Sequence, residues 1–121
     1  MRSFRDLIGF PRRPKTPREA DALALRHLAT RGADLARPRH LVHFLYFERE
    51  DDARAAEAGA AEAGWEAEVL APREAITVWT VRADGTRVVN ATTVEAFRAS
   101  LQRLAEEHNG EYDGWEAAAK P

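Results

Sequence analysis

The alternation of apolar and polar positions is clearest at residues 40–47, where apolar side chains fall on both sides of an extended chain. One face carries Leu41 and every second residue up to Phe47, and the other face carries Val42, Phe44 and Tyr46. A strand that is apolar on both faces is typical of the middle of a sheet that is covered on both sides. We therefore predict a central strand at this position.

The rest of the chain alternates between helical and extended patterns. Residues 93–108 give the strongest helical pattern, because their apolar side chains recur three and four positions apart. Residues 53–63 place alanines on one helical face, which allows a close approach to a sheet. The predicted elements are helices at 17–31, 53–63 and 93–108, and strands at 40–47, 65–71, 75–83 and 111–117.

Short motifs predict where these elements begin and end. The sequence Thr-Pro-Arg-Glu at 16–19 predicts a capped start for the first helix, and Thr92 with Glu95 predicts a capping box for the last. The pair Asp84-Gly85 predicts a turn, which is followed by a short extended piece at 86–89.

After the first helix the predicted order is βαββαβ. Two such halves build a four-stranded antiparallel sheet with both helices on one face, which is the ferredoxin-like arrangement of an α+β protein. We predict this fold with an extra N-terminal helix, as a single domain over residues 16–121 preceded by a basic arm at residues 1–15.

The composition excludes several classes of functional site. The chain has 121 residues and no cysteine, which excludes disulfides, thiolate metal sites and a cysteine nucleophile, and fits a cytoplasmic protein. No apolar run is long enough to cross a membrane. Residues 1–40 carry 10 Arg and Lys against 4 Asp and Glu, whereas residues 41–121 carry 8 against 16. The basic arm either contacts an acidic partner, packs on the acidic body or is a solvated tail.

No catalytic constellation or cofactor motif is apparent. His40 and His43 lie three apart on a strand, so their side chains point to opposite faces and cannot chelate one metal ion. Neither serine lies in a nucleophile-elbow sequence, and no glycine-rich phosphate loop occurs. Direct binding of nucleic acid is not expected, because the body is acidic and the RNA-recognition motif is absent. We expect no enzyme activity, no metal and no cofactor.

The second face of the central strand must be covered, since the helices of such a fold lie on one face only. The cover is the N-terminal helix and arm, a second copy of the chain in a homodimer, or a different protein. Apolar surface of this kind often marks an interaction site.

The sequence Glu-Tyr-Asp-Gly-Trp at 111–115, which follows the last amphipathic helix, resembles the B-type regulators of ribonuclease E activity. This resemblance covers about residues 20–117. It implies a ferredoxin-like domain without catalytic function that binds an endoribonuclease and inhibits its cleavage of RNA. The candidate partner-binding residues are Glu111, Tyr112, Asp113, Trp115 and Tyr46.

Two further hypotheses remain open beside this resemblance. Gly114 indicates a bulged or bent strand in which Tyr112 and Trp115 fill opposite sides, so that both rings serve the core. The same scaffold could also serve as a small enzyme, a ligand-binding domain or a structural homodimer. A cleft with convergent polar groups would favour an enzyme, and an apolar surface rimmed by acids would favour a protein-binding domain.

Overall fold

Three helices and one antiparallel sheet make up the structure, a computed structural model that describes residues 16–119. The predicted arm at residues 1–15 lies outside the described residues. The elements are α1 Pro17–Thr30, β1 Pro38–Phe47, α2 Glu50–Glu62, β2 Glu66–Leu70, β3 Trp79–Val88, α3 Ala91–Glu107 and β4 Glu111–Ala117.

The four strands pair in the order β2-β3-β1-β4, and each neighbouring pair is antiparallel. β1 therefore lies inside the sheet, between β3 and β4, as its pattern predicts. The order of helices and strands confirms a ferredoxin-like α+β fold with an additional helix, α1, before the first strand.

The first face of the sheet packs against the helices. β1 contributes Leu41, Leu45 and Phe47 to this core, and none of the three is exposed to solvent. On α2, the small residues predicted to approach the sheet do so, since Ala53, Ala56 and Ala60 are fully buried. α3 adds Val94, Leu101 and Ala105.

The second face of the sheet carries the alternate residues of β1, and two of these are also buried. Val42 is 6% exposed and Tyr46 is 3% exposed, although the described helices pack on the first face. Thr80 on β3 pairs with Tyr46 and is fully buried, with Arg73 Nη1 at 3.5 Å from its hydroxyl oxygen. β1 is thus covered on both sides.

The predicted turn at Asp84-Gly85 is wrong, because β3 runs without interruption from Trp79 to Val88. Asp84 pairs with Val42 on one side and Glu66 on the other, and its carboxylate binds Arg82 and His40. Gly85 pairs with Leu41, and a Cβ at this position would lie 2.9 Å from the Trp65 ring, so the packing favours glycine there. Contacts with neighbouring strands, which are not local in sequence, thus override the turn signal.

The predicted ends of the helices hold in part. Thr16 caps α1 as expected, since its hydroxyl oxygen accepts a hydrogen bond from the Glu19 amide at 3.1 Å. The capping box predicted for Thr92 is wrong, because Asn90 occupies the N-cap of α3. α2 begins at Glu50, three residues earlier than predicted, so its three acids form the first turn and face the positive end of the helix dipole.

β4 contains a bulge that changes the direction of its side chains. Phe44 pairs with Gly114 and Leu45 pairs with Tyr112, so Asp113 is the extra residue of the bulge. The bulge shifts the alternation by one position. Tyr112 pairs with Leu45 and Trp115 pairs with His43, so both rings lie on the first face of the sheet. The prediction that they fill opposite sides is wrong.

Candidate functional site

A groove of about 470 Å3 lies between α1, α3 and β4, and we call it the β4 groove. α1 contributes Pro17, Ala20, Asp21 and Ala24, α3 contributes Arg98, Gln102 and Glu106, and the third wall is residues 110–115. The walls combine small apolar side chains, two aromatic rings and several charges. Such a surface fits an apolar segment that also carries polar groups.

Asp21 joins the three walls of the groove. It is only 6% exposed, and its two carboxylate oxygens accept hydrogen bonds from different elements. Arg98 Nε on α3 donates to Oδ2 at 2.8 Å, and the indole Nε1 of Trp115 on β4 donates to Oδ1 at 3.0 Å. Because both oxygens are engaged, the carboxylate anchors the groove and is not placed as a general base for a substrate.

His43 lies behind the β4 wall of the groove. Its Nδ1 is 2.7 Å from the Tyr112 hydroxyl, and the Trp65 and Phe97 rings meet it edge-on at 4.9 and 6.4 Å between centroids. Its Nε2 is buried without a hydrogen-bond partner. Burial, and secondarily the charge of Arg87, lowers the pKa of His43 to about 3, so the ring is neutral at physiological pH.

The prediction that His40 and His43 face opposite sides of the sheet is confirmed. His40 lies on the second face, where its Nε2 is 2.9 Å from an oxygen of Asp84. Arg82 Nε donates to the other oxygen at 2.8 Å, and this hydrogen bond is the main cause of the lowered pKa of Asp84. Within residues 16–119, no group of three His, Cys, Asp or Glu side chains is arranged to hold a metal ion.

The structure brings the five predicted partner-binding residues into one region. Glu111, Tyr112, Asp113 and Trp115 line the β4 groove. Tyr46 lies on the second face, where its hydroxyl donates to Asp113 Oδ2 at 3.4 Å across the bulge. Trp115 is half-buried, and Tyr46 and Tyr112 are buried. Their contact with a partner stays a prediction.

Asp21 and Arg98, which connect the walls of the groove, are not among the residues predicted from the sequence. A signal for both was present in the helical pattern. Asp21 precedes Ala24 and Leu28 by three and seven positions, so it lies on the apolar face of α1. Arg98 likewise falls between Val94 and Leu101 on α3. A charge on each of two apolar faces predicts a buried ion pair between the helices.

Three acidic residues, Glu106, Glu111 and Asp113, are among the lining residues of the groove. Glu106 is exposed, and Gln102 Nε2 donates to it at 3.2 Å. The one cation among the lining residues of the described chain, Arg98, is already paired with Asp21.

Fold and groove together define a class: an α+β domain of ferredoxin-like topology whose polar groups at the groove hold each other in place. The model of the family described as regulator of ribonuclease activity B (RraB) matches residues 18–117, and the chain belongs to this family. A comparison with curated proteins finds no match. Within residues 16–119, no helix combines the length and apolar character that crossing a membrane requires.

Proposed function

We propose that this protein is a non-catalytic regulator that binds an endoribonuclease, of the ribonuclease E type, and lowers its cleavage of RNA. The observation that carries the proposal is the family match over residues 18–117, since members of this family are described as regulators of ribonuclease activity. The same proposal places the protein in the bacterial cytoplasm, where such a nuclease meets its RNA.

The chemistry of the groove supports regulation by binding. Its buried carboxylate, Asp21, has both oxygens engaged by the structure, and His43 is sealed behind Tyr112. General acid–base catalysis needs a titrating group within hydrogen-bond reach of a substrate. Asp21 and His43 are residue types that often act as general acids or bases, but here both make hydrogen bonds to other parts of the fold.

We propose the β4 groove and the adjoining bulge as the surface that contacts the nuclease. Trp115, which is half-buried on the groove wall, supplies aromatic area of the kind that dominates interface energetics. Glu106, an exposed acid of the groove, favours a basic segment of the partner. The segment would insert apolar side chains between α1 and β4 and direct a cation toward Glu106.

The test uses the full chain, the ribonuclease from the same host and a labelled RNA substrate. The wild-type protein is expected to bind the nuclease and slow cleavage in proportion to occupancy. Glu106→Lys, an exposed change on the groove, is expected to weaken binding about tenfold. The matched control Glu62→Lys reverses an exposed acid on the last turn of α2, which does not line the groove, and should bind like wild type.

Equal affinity of the two charge-reversal variants would contradict the placement of the surface. Absence of any binding by the wild-type chain would contradict the function itself. Thermal unfolding of each variant shows whether a loss of binding comes from a loss of structure.

A small-molecule site in the same groove is the second candidate. Its volume of about 470 Å3 lies within the range of ligand pockets. A structural homodimer is the third. Sedimentation at micromolar concentration separates the dimer from the monomer, and a melting-temperature screen with small anionic and cationic metabolites separates the ligand-binding domain from the regulator.

A further inference from the structure

β2 is the outer strand at one end of the sheet, because the strands pair in the order β2-β3-β1-β4. Glu66–Leu70 pairs with β3 along one side, and no other strand of the described chain pairs with its second side. Alternate amide and carbonyl groups of β2 therefore point outward without a neighbouring strand. We call this row of backbone groups the β2 edge. An extended peptide can add a strand to a sheet at such an edge through backbone hydrogen bonds.

The side chains of β2 form a polar row and an apolar row. Glu66 and Glu68 are exposed on the second face of the sheet. Ala67 and Val69 are half-buried on the first face, where they pack against the core, and α2 packs against the same strand. A strand added at the β2 edge would therefore place every second side chain beside a glutamate and the others beside small apolar groups.

The glutamates of the β2 edge are not balanced by ion pairs within the described part of the chain. Glu66 pairs in register with Asp84, so two carboxylates lie across from each other. Arg82 lies across from Glu68, but its Nε and Nη2 donate to Asp84 at 2.8 and 3.1 Å. Residues 57–70 contain four Glu and neither Arg nor Lys. Cations of an added strand are therefore favoured on the second face.

The same side chains disfavour a second copy of this chain at the β2 edge. Full overlap of two antiparallel β2 strands is centred on Glu68, and it places the two Glu68 carboxylates across from each other. Like charges in directly opposed positions destabilise strand pairing, and charged side chains on outer strands prevent self-association in many proteins. A segment with cations in place of the glutamates meets no such repulsion.

We propose that the β2 edge binds an extended basic segment of a partner protein, which adds a fifth strand to the four-stranded sheet. Its lysines or arginines lie beside Glu66 and Glu68, and its small apolar residues lie beside Ala67 and Val69. Backbone hydrogen bonds supply affinity, and the alternation of side chains supplies specificity. The β2 edge and the β4 groove lie at opposite ends of the sheet, so this binding does not depend on the proposed function.

A synthetic peptide, acetyl-Val-Lys-Val-Arg-Val-Lys-amide, tests the proposal with the full chain. We expect binding in isothermal titration calorimetry, and a peptide with Glu at the three cationic positions should bind at least about tenfold more weakly. The basic peptide with all its backbone amide nitrogens methylated keeps the charges but cannot donate hydrogen bonds to β2. It should also bind about tenfold more weakly. Equal binding of the methylated and unmethylated peptides would overturn strand addition.

Amide hydrogen exchange, measured by NMR, locates the peptide. The outward amides of residues 66–70 are expected to exchange about tenfold more slowly when the basic peptide is bound. The amides of residues 111–117, at the opposite end of the sheet, should exchange as in the free protein. Protection confined to β4, or no added protection in β2, would overturn the placement.

A charge reversal on β2 tests the selection of cations. Glu68→Lys in the full chain is expected to weaken binding of the basic peptide about tenfold. Glu19→Lys, which reverses an exposed acid on α1, is the matched control and should bind like wild type. Thermal unfolding of both variants shows whether either change disturbs the fold. Equal affinity of two folded variants would overturn the charge selection.

The binding at the β2 edge and the proposed function fail in different ways. Glu106→Lys, which is expected to weaken nuclease binding, should bind the basic peptide like wild type. Peptide binding at β2 by a chain that does not bind the nuclease would support the β2 edge and contradict the proposed function. Nuclease binding by a chain that does not bind the peptide would do the reverse.

Discussion

At the scale of single residues, Asp21 connects three elements of the fold through one carboxylate. Its carboxylate is the common acceptor for a guanidinium on α3 and an indole on β4, and all three groups are at least half-buried. Removing one partner of a buried ion pair lowers stability strongly, because the remaining charge stays desolvated and no longer has a counter-charge.

Asp21→Asn is therefore expected to lower the free energy of unfolding by about 3 kcal/mol. The amide keeps the volume and one acceptor oxygen but leaves Arg98 without a counter-charge. Urea denaturation followed by far-UV circular dichroism measures the loss. Glu19→Gln, an exposed acid on the same helix, is the control and should unfold at the wild-type midpoint. Equal midpoints for the two variants would refute the anchoring role.

At the scale of elements, the start of α3 shows how two neighbouring residues divide one task. The Asn90 side-chain oxygen accepts from the Thr92 and Thr93 amides, both at 3.0 Å. The Thr93 hydroxyl returns a bond by accepting from the Asn90 amide at 3.0 Å. The Thr92 side chain, which the motif had indicated as the cap, is exposed and takes no part in this box.

Asn90→Ala is accordingly expected to destabilise the protein by about 1 kcal/mol, because two amides at the start of the helix lose their acceptor. Thr92→Ala should change stability by less than about 0.5 kcal/mol. Chemical denaturation of both variants under one set of conditions checks the order. A larger loss for Thr92→Ala would mean that the helix begins where the sequence motif placed it.

The turn from α3 into β4 depends on a residue without a side chain. A Cβ on Gly110 would lie 2.2 Å from the Phe47 ring and 2.6 Å from the Tyr46 carbonyl oxygen. Phe47 is fully buried, and the Tyr46 carbonyl belongs to the paired strand β1, so neither can shift easily to make room. The close approach brings β4 into register beside β1, so Gly110 fixes the position of the groove wall.

Gly110→Ala is expected to cost about 3 kcal/mol, since relief of the contact must displace core or backbone atoms. Gly32→Ala gives a useful comparison, because its Cβ would meet nothing within 4 Å and only the positive φ of 82° opposes it. Calorimetric melting temperatures of the two variants should differ clearly, with Gly110→Ala the lower. A reversed order would rule out the packing explanation.

Patterns that are local in sequence predicted most of this fold. The alternation in β1, the alanine face of α2 and the amphipathic period of α3 each depend on residues within a few positions of one another. Gly114 also indicated the bulge in β4, but the continuous β3 and the register that the bulge gives Tyr112 and Trp115 could not be predicted in this way. Asp84 stays in its strand because of Arg82, Val42 and Glu66, and Tyr112 shares a face with Trp115 because β1 sets the register.

The candidate site was predictable to a similar extent. The motif at 111–115 identified the strand that forms one wall of the groove. The opposite wall comes from helices about 15 and 90 residues away along the chain, and nothing in the motif points to them. Only the charges on otherwise apolar helical faces, Asp21 and Arg98, carried that information.

At the scale of the whole molecule, stability should depend on acidity through one buried ring. Folding lowers the pKa of His43 from 6.5 to about 3, chiefly through burial. Between pH 6.5 and about 3, His43 is therefore protonated in the unfolded chain and neutral in the folded chain. Stability from this group is complete above pH 6.5 and declines as the pH falls toward 3, by about 1.4 kcal/mol for each unit.

Removal of the ring should flatten that dependence. His43→Phe is expected to be less stable than wild type at pH 7, because the Tyr112 hydroxyl loses its partner. It should lose less stability between pH 6.5 and 4 than wild type does. Urea midpoints across that range give both slopes. Parallel slopes would show that folding does not lower the pKa of His43.

The strand order has a consequence for synthesis on the ribosome. β1 emerges early, yet the strand that completes one of its edges is β4, about 65 residues later in the chain. A nascent chain that stalls before Glu111 exposes an apolar strand, β1, whose amide and carbonyl groups are unpaired along one edge. Such an edge can pair with strands of other nascent chains. Translation must therefore reach the Glu-Tyr-Asp-Gly-Trp sequence before the product is safe from misassembly.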